Sequence, residues 1–375
     1  MRELFLLDPD VVFLNHGSFG ACPASVFAAY QEWQRQLENQ PVAFLGRRAD
    51  ALMDEARSRL AAYLNTAPEN IVFVVNATAG MNMVARSLPL KPSDEVLSTD
   101  QEYGAVDKTW QFVCCKTGAQ LIRHTVQLPV SDHQAFVEAL FKEVTPRTRV
   151  ISISHITSPT ALIFPVTEIC RRARALGILT VIDGAHAPGQ IPLNLSCLDA
   201  DFYIGNCHKW MCAPKGVGFL YARPEHHDLI EPLIISHGWD ANNSFVARNQ
   251  WQGTRDLAPF LSVPAAIDFM ERHNWPAVQA RCHAMARQLQ LELAALTGLP
   301  PLAADSDLWL GQMVAAPLPP CNPDSISAAL YQRYRVEAPL ITRPRAVLIR
   351  VSFQAYNTEA DAQALLHALS ELFGL

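Results

Sequence analysis

The feature that most restricts the fold of this chain is a series of short apolar runs separated by stretches of helical period. The runs "NIVFVVN", "DEVLSTD", "RVISISHI", "ILTVID" and "DFYIGN" succeed one another between Asn70 and Asn206. After the first comes a helical pattern in "MNMVARSL". Before "ILTVID" lies "VTEICRRARALG" (Val166 to Gly177), which ends on glycine as a helix C-terminus does. Strands apolar on both faces and alternating with helices predict an α/β fold with a mainly parallel sheet covered on both sides. Upstream, "RADALMDEARSRLAAYLN" (Arg48 to Asn65) predicts a helix with its charges on one face.

Past Pro259 the texture changes. Long helical patterns ("PAAIDFMERHN", "AVQARCHAMARQLQLELAALTG") precede the proline-rich "PLPPCNPDS", then a helix in "SISAALYQRY", a strand in "AVLIRVSF" and a last helix in "TEADAQALLHALSELF". The expectation is a large domain over residues 1–260 and a smaller α+β domain over 261–375.

At 375 residues the chain can bury two cores, and 50% hydrophobic with 18% charged residues is the balance of a globular protein. A net charge of −6 with dispersed basic residues offers nucleic acid no electrostatic footprint. Asp8, Pro9 and Asp10 interrupt the apolar start before it can serve as a signal peptide, and no apolar stretch is long enough to cross a bilayer. Nine cysteines without a C-x-x-C pair predict free thiols in a reducing cytoplasm.

Ligands of an open parallel sheet bind beyond the carboxyl ends of its strands, and four strand-end loops carry residues unusual for connectors. "NATAG" (Asn76 to Gly80) enters a helix whose first N–H groups, with the Thr78 hydroxyl, suit a phosphate; a capped turn is the plainer reading. In "QEYGAV", Tyr103 is placed to lie against a flat heterocycle or merely to pack. In "TVIDGAHAPGQ", Asp183 follows a β-branched run, where a carboxylate is costly unless partnered. It suits a protonated pyridine nitrogen, or else a turn. In "DFYIGNCHKWMCAPKG", Lys209 sits where an amine kept dry would have a lowered pKa and could condense with an aldehyde. A solvated loop lysine is the alternative. Phosphate turn, aromatic, aspartate and lysine in this order are the handles that pyridoxal 5'-phosphate requires.

The run "VIDGAHAPGQIPLNLSCLDADFYIGNCHKWMCAPKGVGFLYAR" resembles the active-site region of class V aminotransferase-fold, pyridoxal-phosphate-dependent enzymes. "FLNHGSFGACP", "SHITSPTALIFPV", "HKWMCAPKG" and "RVSFQAYNTEAD" resemble their isopenicillin-N-epimerase-like branch. The likeness runs from about residue 12 to the last residue. It implies the fold-type-I transferase architecture and a set of roles. Lys209 would carry the cofactor as an imine, Asp183 would pair with the ring nitrogen, Tyr103 would stack on the ring, and His186 would lie near the phenolic oxygen. Thr78, the Ala79 backbone and His208 would hold the phosphate. Gly253 and Thr254 of "WQGTRD" would reach a neighbouring subunit's phosphate, which implies a homodimer. Arg350 would bind the substrate carboxylate. Two positions depart from the family: Ser158 stands where relatives often carry asparagine against the phenolic oxygen, and Asn206 where a serine commonly joins the phosphate shell.

The family's reactions begin alike at Cα of an amino acid and then diverge. Persulfide-forming desulfurases need a loop cysteine shortly before the substrate arginine, whereas "VEAPLITRPRAVLIRVSF" has none. Epimerisation of an amino acid or small peptide is the leading expectation; a β-eliminating C–S lyase and an aminotransferase are the alternatives. Intact Lys209 and Asp183 argue against a non-enzymatic scaffold. Epimerisation needs a proton donor on each face of Cα: Lys209 serves one, and Tyr103, His16 or water the other. His16 in its glycine-rich loop and Arg47 after "PVAFLG" are the candidates for further substrate contacts. Cys207 and Cys212 read as small buried hydrophobes, and no metal site is expected.

Overall fold

The computed structural model describes residues 1–240, 242–344 and 346–375. Within them the strands are β1 (Val12–Phe13), β2 (Ile71–Val74), β3 (Glu95–Thr99), β4 (Gln120–His124), β5 (Thr148–Ser154), β6 (Leu179–Gly184), β7 (Phe202–Asn206), β8 (Gly218–Ala222), β9 (Met313–Leu318), β10 (Val336–Glu337), β11 (Leu340–Arg343) and β12 (Ala346–Ser352).

Seven of them form the main sheet in the order β2-β8-β7-β6-β5-β3-β4. All run parallel except β8, which is antiparallel to both neighbours. The expected runs are strands because both of their faces are covered. In β7, Phe202 and Ile204 point into one apolar layer and Tyr203 into the other. The helix Val166–Ala175 buries Val166, Ile169, Cys170 and Ala173, the one-face spacing of an amphipathic helix on a sheet. Trp110, from the helix Gly104–Thr117, donates its indole N–H to Ser152 of β5 at 2.7 Å. The chain order reverses between β3 and β5, so the loops leaving these strands part and open a crevice.

A three-stranded antiparallel sheet, β11-β12-β9, forms the second layer. The expected division at 260/261 falls inside the short helix Ala258–Leu261. The following helix, Val263–Arg272, docks on the N-terminal helix Ala49–Tyr63 through Arg59 with Asp268 (3.0 Å) and Glu271 (2.6 Å). At the other extreme, β1 pairs in parallel with β10, and Asn15 bridges Ser352. The first residues therefore pair with the C-terminal layer rather than with the main sheet. Among the described residues, no helix is long and apolar enough to cross a membrane, and no group of His, Cys, Asp or Glu side chains could hold a metal.

Candidate active site at the strand ends

A cavity of about 210 Å³ opens at the carboxyl ends of β3, β5, β6 and β7, against the N-terminus of the helix Ala77–Ser87 that leaves β2. It gathers Thr78, Tyr103, Ser158, Asp183, His186, Asn206, His208 and Lys209 from segments 131 positions apart.

Lys209 lies in the turn after β7, with Nζ 3.1 Å from His186 Nε2. Burial outweighs the attraction of Asp183 and pulls its amine down from 10.5 to about 8. The Trp210 indole N–H donates to His186 Nδ1 at 3.2 Å, which assigns the imidazole proton to Nε2. Burial holds that ring neutral, well below its ordinary value. Its Nε2–H therefore points at Lys209, and the amine can accept it only when unprotonated. The turn itself is clamped from behind. His16 bonds the Lys209 carbonyl through Nε2 at 2.9 Å and the Tyr356 hydroxyl through Nδ1 at 3.0 Å. Gly20 (φ +71°) crosses so closely that a β-carbon there would stand 2.0 Å from the His208 carbonyl oxygen.

Asp183, one residue before the end of β6, lies beside Ser154, its register partner on β5. Its carboxylate accepts the Ala185 N–H at 2.9 Å. Burial raises its pKa, opposed by that N–H and by Lys209. Tyr103 stands at the N-cap of the helix Gly104–Thr117, half exposed on the cavity wall.

At the end beside the helix Ala77–Ser87, Asn206 accepts the Ala77 N–H at 2.8 Å and Asn76 accepts the Ala79 N–H at 2.9 Å. Two first-turn donors are thus already bonded by side chains. Ala79, expected to hold a phosphate, spends its N–H on the cap and lies outside the cavity wall, where Thr78 remains. His208 bonds the Val217 carbonyl through Nδ1 at 2.9 Å, which leaves Nε2 as an acceptor, and burial lowers its pKa to about 4.

Arg350, on β12, is buried beside these loops. One amino group donates to the Ser158 carbonyl (2.7 Å) and hydroxyl (3.1 Å), the other to the Ser18 hydroxyl (2.9 Å), and Nε has no partner. Among the described residues no carboxylate pairs with it, and burial lowers its pKa to about 10. Ser158, expected against a phenolic oxygen, instead gives both its oxygens to this guanidinium.

Besides Ala79 and Arg350, four more expected site residues lie off the cavity wall. His16 is a buried clamp whose two ring nitrogens are both bonded, and burial lowers its pKa to about 3, so it is neither a substrate contact nor a proton donor. Arg47 is exposed in the turn Phe44–Arg48. Gly253 and Thr254 occupy a surface loop of the same chain. Conversely, Ser18 and Phe19 line the cavity, and their signal was the glycine-flanked "GSFG". Glu102, a buried carboxyl next to Tyr103, went unread because it resembles an ordinary loop glutamate.

The family model described as Aminotransferase class-V matches residues 12–365. Isopenicillin N epimerase of Amycolatopsis lactamdurans is 37% identical over 390 residues, covering 99% of this chain and 97% of that protein. L-cysteine desulfhydrase of Arabidopsis thaliana is 28% identical, covering 96% and 88%. Among solved structures, a lysine-to-alanine mutant of C-DES with glycine covalently linked to its PLP cofactor superposes with a TM-score of 0.87 at 23% identity, covering 99% of each chain. The site geometry and the full-length match lead to one conclusion: the chain belongs to the class V aminotransferase family of pyridoxal-phosphate-dependent, fold-type-I enzymes.

Proposed function

We propose that this protein acts at Cα of an amino acid or small peptide as an isopenicillin-N-epimerase-like isomerase. The observation that carries the reading is the dry amine of Lys209, set between a strand-end carboxylate and a neutral imidazole opposite an arginine with no carboxylate of its own. Full-length 37% identity to an epimerase supports the reaction type.

The residues present fit pyridoxal phosphate. The buried Asp183 carboxylate suits a ring nitrogen, the Lys209 amine an aldehyde, and Thr78 at the helix start a phosphate, whereas His208 presents only an acceptor and does not fit one. When bound, the cofactor supplies an electron sink for charge developing at Cα. Asp183 would hold a proton on the ring nitrogen. His186 would donate a hydrogen bond from Nε2–H to the phenolic side or to Lys209, keeping its proton. Arg350 turns its fork to the α-carboxylate, with Ser18 and Ser158 fixing its plane. Lys209, its amine brought down to about 8 so that a larger share is unprotonated than for a solvated lysine, takes or returns the Cα proton on its face. With His16 engaged elsewhere, Tyr103 or a water is left for the opposite face.

A C–S lyase is the second reading, favoured by the desulfhydrase relative and by the lyase-like structural neighbour. Persulfide-forming desulfuration is disfavoured. β11 and β12 pair from Leu340↔Ile349 to Arg343↔Ala346, so only two residues separate them where a cysteine loop would be needed.

A homodimer completes the reading. Phe19, Leu233, Ile234, Ile235 and Trp239 are exposed apolar side chains, and Leu233 borders a hollow with Thr78 and Ala79. A second copy covering this face would bring Gly253 and Thr254 to its neighbour's phosphate. The nine cysteines are unbridged, which supports a cytoplasmic location.

The test is a screen of amino acids and small peptides in deuterated water, scoring α-deuteration, chirality and released products. An epimerase inverts chirality with deuterium uptake and no product. Pyruvate or sulfide release would replace this reading with the lyase, and protein in which borohydride leaves no pyridoxyl group on Lys209 would remove both.

A further inference from the structure

One buried carboxyl beside the cavity has no part in the chemistry above. Glu102 follows β3 and is nearly enclosed, yet among the described residues no basic side chain meets it. Thr99, at the end of β3, donates its hydroxyl to Oε1 at 2.6 Å, and Ser154, at the end of β5, donates to Oε2 at 2.5 Å. Ser154 lines the cavity and is the register partner of Asp183. Glu102 is therefore joined through one hydroxyl to the strand-end position beside Asp183. Among the described residues, Asp183 is the charged group acting on it; Tyr103 is its neighbour in the chain. Burial and Asp183 push the Glu102 carboxyl up to about 7, against the pull of the two hydroxyls.

A purely structural strap between β3 and β5 would not need a charge, since an amide could bond the same two hydroxyls. A carboxylate adds negative potential where Asp183 already stands. Like charges that share one cation hold it more firmly than either does alone.

We propose that Glu102 is a positioning residue that acts through Asp183: its charge strengthens the hold of Asp183 on the proton of the cofactor's ring nitrogen. This rests on the reading of Asp183 as the ring-nitrogen partner. It gives the site a reserve of negative charge that a substrate's own charge can draw on or oppose.

The test is nitrogen NMR of the holoenzyme loaded with ring-labelled pyridoxal phosphate. In Glu102→Gln the ring-nitrogen resonance should move toward its neutral-pyridine position, and the pH at which it deprotonates should fall by roughly half a unit or more. In an Asp183→Asn background the same change should add nothing. A resonance that Asp183→Asn moves and Glu102→Gln leaves in place overturns the inference alone. An equal Glu102→Gln effect in both backgrounds also overturns it, because the effect would not pass through Asp183. A resonance unmoved by Asp183→Asn overturns the Asp183 reading and this inference with it. Should Glu102→Gln fold poorly, Ser154→Ala serves instead. It keeps the carboxyl but makes it harder to ionise, so the midpoint should fall in the same direction, and an unmoved midpoint counts against the proposal.

Discussion

The two ends of the main sheet treat buried charge in opposite ways. At the amino ends of β6 and β7, every buried charge has a partner. Asp201 accepts the Thr180 N–H and hydroxyl at 2.7 and 2.9 Å, meets His226 at 3.1 Å and lies 3.7 Å from Arg223. Arg223 also reaches Asp199 at 2.7 Å. At the carboxyl ends, Lys209 faces an imidazole, Arg350 faces hydroxyls and a carbonyl, and Asp183 has a backbone N–H. The same fold thus closes its ionic accounts at one end and leaves them open at the other. Matched charge fastens structure; mismatched charge waits for a ligand.

That contrast can be broken in three places. Asp201→Ala should cost roughly 3–5 kcal/mol in denaturant unfolding, since the buried Thr180 N–H and hydroxyl both lose a charged acceptor, while turnover per folded molecule is unchanged. Loss of turnover without loss of stability would refute the division. The Lys209 amine gives a smaller effect with a definite sign. Its pKa is near 8 folded and 10.5 unfolded, so between these values the unfolded chain binds the extra proton and stability rises with pH. Cofactor-free protein should gain on the order of 3 kcal/mol over that window relative to Lys209→Met, and the difference should be flat below pH 8. Parallel curves would mean that the amine is solvated. Smallest in stability is Arg350→Met, expected to leave unfolding unchanged or about 1 kcal/mol more costly. Its kcat/KM should fall roughly a hundredfold through two lost charge-assisted hydrogen bonds. A clear loss of stability would put Arg350 among the fasteners.

Much of this was legible from residue order, for a physical reason. Strands covered on both faces are apolar throughout, so β2, β3, β5, β6 and β7 stood out. β4 did not, because as an edge strand it carries Gln120, Arg123 and a mostly uncovered face. β8 reads like its parallel neighbours, and nothing in "GFLYA" announces a reversed direction. Lys209, Asp183, Thr78 and Tyr103 could be found because strand-end position is a local property. The role of His16 could not, since its partner is a backbone carbonyl 193 residues away. Ser158 likewise bonds a guanidinium 192 positions on, a pairing that no short window contains. The pairing of β1 with β10 was out of reach for the same reason: only the folded chain brings them together.

The clamp formed by His16 and Gly20 ties catalysis to the order of synthesis. The loop bearing the lysine leaves the ribosome after the N-terminal turn, but β10, β12 and Tyr356, which hold that turn, emerge more than a hundred residues later. A nascent chain therefore owns the brace behind Lys209 only once that last strand and Tyr356 are made, and a premature stop before them leaves the lysine turn without its backing and Arg350 missing altogether.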